Sequence, residues 1–159
     1  MSARSASRPA AAEAESLLVD YDARAADIAA RLAALDTAPQ VSLVRFGPDR
    51  IVIYEKQIFA GSVLADAGVT RPPAQDKDAR SEQISPEQLA LIDGDLLLTV
   101  AANPDESILA ELQTNPLWSQ LRAVQTEQVY PVSYDSWVGG WTITGANLIL
   151  DDVEQYLLQ

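Results

Sequence analysis

Histidine and cysteine are both absent from this 159-residue chain. Their absence removes the imidazole base, the thiolate nucleophile, every disulfide and every Cys/His zinc site. What can still do chemistry is a set of carboxylates, a few guanidiniums and three tryptophans. Arg45 interrupts the apolar run Val41–Phe46. A buried guanidinium is costly unless paired, so it is expected either at the strand's carboxyl end facing a ligand or in an ion pair with a carboxylate of the same domain. Tyr54 and Lys56 follow at the end of a second apolar run, where either could reach an anion. The plainer reading is an edge tyrosine and a solvated lysine. Glu87 stands in Ser85-Pro86-Glu87, where its charge complements a helix N-terminus.

The carboxylate clusters do not gather into a site. Asp76 with Asp78, and Asp151, Asp152 and Glu154, lack the Asp/Asn/Gly pattern of a calcium loop and read as solvated acidic faces. Gly139-Gly140 has neither the Lys-Ser/Thr of a P-loop nor the spacing of a dinucleotide fingerprint. A small hydrolase or transferase would have to use Asp95, Asp135 or Glu55 as its base. Nothing pairs them, and no Gly-x-Ser-x-Gly elbow is present. Such an enzyme stays open as a second reading, and no protein metal ligands are evident in the residues.

Charge narrows the partners. Asp plus Glu is 23 and Lys plus Arg is 11, a net charge of −12. From Ser81 onward Arg122 is the only basic residue. No basic cluster exists to displace counterions, which argues against nucleic acid. Any basic contact to an anionic ligand must come from the first half.

These side chains need elements to hold them. Residues 1–10 are Ser/Ala/Arg/Pro-rich and predicted disordered. Over residues 11–36, Leu17, Tyr21, Ala25, Ile28, Leu32 and Leu35 recur at three- and four-residue steps, predicting a long helix. Strands are predicted at 41–46 and 51–54, with a turn at Gly47-Pro48-Asp49. A helix follows at 59–67, a polar loop at 71–81 and a second helix at 86–92. The run DLLLTV at 95–100 reads as a buried parallel strand. Short helices are predicted at 104–112 and 116–121, a strand at 129–132, a Gly-rich loop at 133–140 and a terminal helix at 141–158. Strands alternating with helices predict an α/β fold, a three-layer lobe with a largely parallel sheet flanked by helices. The leading helix lies outside that alternation, as a connector. Trp118 is expected in the core and Trp141 in packing.

The segments VSLVRF, IVIYEKQIFAGSVLADAGVTRPP, ISPEQLALIDGDLLLTV, NPLWSQLRAVQTEQVYPV, SWVGGW and NLILDDVEQYL come in one serial order. In wording and order they resemble the C-terminal lobe of the iron-siderophore-binding proteins of ABC importers. The resemblance covers residues 41–159 as one lobe, and 11–36 is similar to the end of that family's interlobe helix. It implies a two-lobed binding fold of which one lobe is represented. It further implies a ferric siderophore as ligand, whose iron arrives already chelated, with no resident cofactor. Arg45 matches a position that faces the chelate in that family. The loop holding Trp137 would border the cleft, where an indole offers a flat apolar face and one N–H; the alternative is a cap over the terminal helix. Glu87 matches the glutamate that meets arginines of the ABC permease. A separate N-terminal lobe or self-association is a further partner the resemblance leaves open. The family works in the periplasm or as a surface lipoprotein. The start of this sequence shows no apolar signal region and no lipobox, so as given it reads as cytoplasmic.

Overall fold

A computed structural model describes residues 7–159; most of the segment expected to be disordered, 1–6, lies outside them. The first helix, α1 (Ser7–Ala33), begins earlier than its apolar spacing suggests and ends sooner. Only its second half is anchored. Tyr21, Ala25, Ile28 and Leu32 are buried, whereas residues 9–20 are all exposed. Leu17 and Leu35, expected on the same stripe, are 45% and 41% exposed. The stripe is one helical face, but the domain beneath it covers only the stretch from Tyr21 to Leu32.

Five strands form one sheet in the order β3-β2-β1-β4-β5: β1 (Val41–Phe46), β2 (Ile51–Tyr54), β3 (Ser81–Ile84), β4 (Leu96–Val100) and β5 (Val129–Val132). β1, β4 and β5 pair in parallel, and β2 runs antiparallel to both of its neighbours. The predicted α/β lobe with a largely parallel sheet is therefore what forms. One face packs under α1, α2 (Phe59–Asp66) and α6 (Ile143–Leu157), through residues such as Leu43, Leu98, Leu64 and Ile149. The other face, with Val44, Ile53 and Leu97, packs on a 3-10 helix at Pro86–Ile92 and on three short helices. These are α3 (Leu109–Leu112), α4 (Pro116–Ser119) and α5 (Arg122–Gln125). Trp118 is buried in this second layer against Phe46, edge to face at 6.1 Å.

Two expectations hold only in part. The segment 71–80 is the polar loop expected, but Arg71 and Gln75 within it are buried, and Ser81 opens a strand. β3 is short and polar, and only Ile84 is buried, so it carries no alternating pattern; it exists because it pairs with β2. Ahead of it, Arg71 and Gln75 are buried in a closed hydrogen-bond network. Arg71 Nε donates to the Val41 carbonyl (2.9 Å), and Nη2 donates to the Tyr54 carbonyl (2.7 Å) and Gln75 Oε1 (2.6 Å). Gln75 Oε1 also accepts from the Leu43 N–H, while its amide nitrogen donates to Ser42 Oγ. Nε and Nη2 of Arg71 and both amide atoms of Gln75 are thereby satisfied by β1, by β2 or by each other. Second, the acidic residues of α6 are not simply solvated. Arg24 of α1 pairs with Asp151 and Glu154, and Asp152 accepts from Trp137. Likewise Asp76 pairs with Lys56 at 2.8 Å.

Candidate functional site

After β1 the chain turns back at Gly47 into β2, on one side of β1. After β4 it passes through α3, α4 and α5 to β5, on the opposite side. The carboxyl ends of β1 and β4 are thus adjacent strand ends whose connections diverge. In open α/β sheets a crevice forms at such a point. A cavity of about 200 Å³ lies there, lined by Arg45, Gly47, Pro48, Asn103 and Glu106 among others.

Arg45 is the next-to-last residue of β1, opposite Val52 on one side and Val100 on the other. It is half-buried, and its guanidinium lies over the Tyr134 ring, 5.2 Å from the centroid. Among the described residues no carboxylate lies within 4.0 Å of it, so the ion-pair alternative is not what forms. A guanidinium over an aromatic face keeps its fork free at the edges.

Tyr54 falls on the same face of the sheet as Arg45, diagonally across the β1–β2 pair. It is only 7% exposed. Burial raises the pKa of its phenol above the ordinary tyrosine value, and the neighbouring Arg45 pulls it partly back. Tyr54 lines a second cavity, of about 210 Å³, with Phe59, Arg80, Trp137, Val138 and Trp141. Arg45 thus stands between the carboxyl-edge crevice and this aromatic pocket.

The other expected residues divide. Trp137 is fully buried; its Nε1 donates to Asp152 at 2.7 Å, and the ring packs in the core beneath α6. It floors the pocket without offering a face, so its expected role as a ligand-facing indole is corrected. The loop is short and folds back through a π-turn at Asp135–Gly139, which drives the side chain inward. Trp141, expected in packing, is 70% exposed instead, held by its Nε1 on the Val138 carbonyl. Lys56 is exposed, tied to Asp76, and does not line either cavity. Glu87 is exposed in the first turn of the 3-10 helix, just beyond the carboxyl end of β3. Its backbone N–H, and then the Ser85 hydroxyl, hold its carboxyl below the usual range.

Sequence reasoning missed Arg80 and Tyr134. Arg80 sits beside Tyr54 because its carbonyl accepts from the Glu55 N–H at 3.1 Å, a consequence of the unforeseen β3 pairing. Tyr134 follows β5 by two residues, and Val132, Val100 and Arg45 share one cross-strand row. The parallel register would have pointed to it. Among the described residues no group of three or more carboxylates gathers to hold a metal ion. The arrangement can hold an anion by forked hydrogen bonds and an apolar surface by contact; it has no paired base and nucleophile.

The model of the periplasmic binding protein family matches residues 9–133. The Fe(3+) dicitrate-binding periplasmic protein FecB of Escherichia coli is 34% identical over 117 residues, covering 72% of this chain and 38% of that protein. The probable siderophore-binding lipoprotein YfiY of Bacillus subtilis is 28% identical over 155 residues, covering 90% of this chain and 47% of that protein. The crystal structure of Staphylococcus aureus SirA superposes with a TM-score of 0.80 at 26% identity, covering 92% of this chain and 59% of that one. The chain thus spans less than half the length of these curated relatives and somewhat over half of the solved structure. Matched over most of its own length, this chain belongs to the periplasmic binding protein family, a family of binding proteins rather than enzymes.

Proposed function

We propose that this chain is a solute-binding lobe of an ABC importer receptor and forms one wall of a cleft for a ferric siderophore. The observation that carries the reading is Arg45: a half-buried guanidinium at the carboxyl-edge crevice, free of any carboxylate among the described residues. A protein with 23 acidic residues leaves such a group unpaired where an external anion completes it. The names of the relatives supply the class of anion, since they bind ferric citrate and siderophores. The second wall is an N-terminal lobe, which covers the exposed Leu17, Leu18 and Val19 of α1 and the exposed Trp141. Glu87, anionic at neutral pH and projecting from the opposite layer, is the permease contact.

The test is calorimetric titration of the chain with ferric citrate, a ferric catecholate and a ferric hydroxamate. One wall of a cleft binds weakly, so the titration extends to about 1 mM. Saturable binding, weakened at least about tenfold in Arg45→Gln, is the expected result. Silence toward all three chelates to that concentration would overturn the reading.

A further inference from the structure

A third cavity, a groove between α1, α2 and α6, takes no part in the chelate site. It holds about 220 Å³, less than the roughly 300–1,000 Å³ of sites for drug-sized ligands, so its occupant is small. Leu18, Val63 and Ile143 give it apolar walls, and Tyr21, Phe59 and Trp141 supply three rings. Leu18 and Trp141 on its rim are among the exposed residues assigned above to the N-terminal lobe, which would roof the groove.

Its polar groups single out a ligand. Three of its four side-chain donors, those of Tyr21, Ser62 and Trp141, are spent inside the protein. The Tyr21 hydroxyl donates to Asp66 Oδ2 at 2.8 Å, the Ser62 hydroxyl to the Phe59 carbonyl at 2.6 Å and the Trp141 N–H to the Val138 carbonyl at 3.1 Å. The fourth, Thr142, caps α6 by accepting the Gly145 N–H at 3.0 Å. Burial, and then the Asp66 carboxylate, hold the Tyr21 phenol above the ordinary tyrosine range, so it keeps the proton it gives to Asp66. What stays open is acceptors: the second Asp66 oxygen and the Ser62 and Tyr21 oxygens. Among the described residues no cation lies within 4.0 Å of Asp66, or of Asp22, a second carboxylate that acts on Tyr21. The groove is rich in ring surface and negative charge and poor in donors.

We infer that this groove binds a small organic cation, a primary alkylammonium whose chain lies on Leu18, Val63 and Ile143 and whose head meets Asp66 and the rings. An ammonium has three donors and no acceptor, the complement of the groups left open. Its charge is attracted to aromatic faces, and its stem buries against apolar side chains. A carboxylate of the same length would meet Asp66 as a like charge. A neutral alcohol would keep the apolar contact and lose the attraction of charge.

The experiment titrates the 159-residue chain, labelled with nitrogen-15, with hexylammonium, 1-hexanol and hexanoate at pH 7 and follows the indole N–H signals of its three tryptophans. Trp141→Phe assigns the signal of Trp141. A ligand this small is expected to bind at about 1–5 mM. Hexylammonium should shift the Trp141 signal saturably, at least about fivefold tighter than 1-hexanol, with hexanoate leaving it unmoved to about 20 mM. In Asp66→Asn, which keeps an acceptor for Tyr21, hexylammonium binding should weaken about fivefold while 1-hexanol binding changes less than about twofold. Equal affinity for hexylammonium and 1-hexanol, binding of hexanoate, or silence toward all three to about 20 mM would overturn the inference. So would an Asp66→Asn chain that holds hexylammonium as the parent does. If that variant does not fold by circular dichroism, the three-ligand comparison on the parent decides alone. Each of these outcomes leaves the chelate reading at Arg45 standing, because that reading is tested by its own titration.

Discussion

The Arg71 network offers a sharp test of what holds β1, β2 and the 71–75 segment together, since Arg45 and Tyr54 stand on those two strands. Arg71 is 8% exposed and makes three hydrogen bonds through its guanidinium. Bonds to a charged group are each worth about 1.5–3 kcal/mol net, or roughly 4–9 kcal/mol for three. Against this stands the cost of keeping the charge indoors. Burial lowers the pKa from 12.5 to about 10. At 1.36 kcal/mol for each pH unit, holding the cation in the folded state costs about 3 kcal/mol. The difference leaves about 1–6 kcal/mol, centred near 3 kcal/mol. Arg71→Met fills much of the same volume without donors, so it should destabilise the chain by about 3 kcal/mol and lower Tm by about 6–12 °C. Urea unfolding at pH 7 followed by circular dichroism reads this directly. A variant as stable as the parent, or more so, would refute the reasoning: the desolvation cost would then equal the hydrogen bonds, as it does for some buried ionic groups.

Two other outcomes follow from single contacts. At Gly61, in the first turn of α2, an added Cβ would stand 2.3 Å from the Glu55 carbonyl and 2.8 Å from the Lys56 carbonyl. Gly→Ala inside a helix ordinarily stabilises by about 1 kcal/mol, but Gly61→Ala should destabilise by about 3 kcal/mol, because backbone cannot yield as a side chain does; a gain in urea midpoint would sink this account. Asp152 has its carboxyl pKa raised by burial, against the pull of the Trp137 N–H. A folded pKa above the unfolded one means the group's contribution is fully present below the unfolded value, near 3.8, and is lost as pH rises through the folded one. Asp152→Asn keeps an acceptor for Trp137 and cannot ionise. It should be more stable than the parent at pH 7, with the gap closing toward pH 3; a gap that widens in acid would contradict it.

The layers and the strands β1, β2, β4 and β5 were legible because their side chains carry the signal: apolar runs bounded by turn residues, separated by helical spacing. β3 was not legible, because its hydrogen bonds come from β2 and its residues contribute only Ile84 to the core. The same blind spot hid Arg80, whose position depends on that pairing. Arg45 was legible as a charge out of place in an apolar strand. The exchange of roles between Trp137 and Trp141 was not, because both lie in one Gly-rich stretch whose sequence does not record which indole the turn at Asp135–Gly139 drives inward. Asp152 on the following helix decides it, by accepting the Trp137 N–H.

The topology explains why a cation can stay open at this edge. The chain leaves β1 toward β2 and β4 toward β5, and the segment after β4 meets the β1 turn where the Ile108 N–H donates to the Gly47 carbonyl at 2.9 Å, leaving a crevice at the two carboxyl ends. A side chain one residue from the end of β1 can therefore bury its aliphatic stem while its head reaches the crevice. The chain holds about two carboxylates for every basic residue, so internal pairing would have been easy to arrange. Glu106 lines the same crevice without pairing to Arg45. The Tyr134 ring takes the place that a carboxylate would occupy in a structural ion pair. A ring steadies the guanidinium without neutralising it, whereas a carboxylate would do both. That difference separates a positioned recognition group from a structural one, and it makes Tyr134 part of the site although it need not touch the ligand.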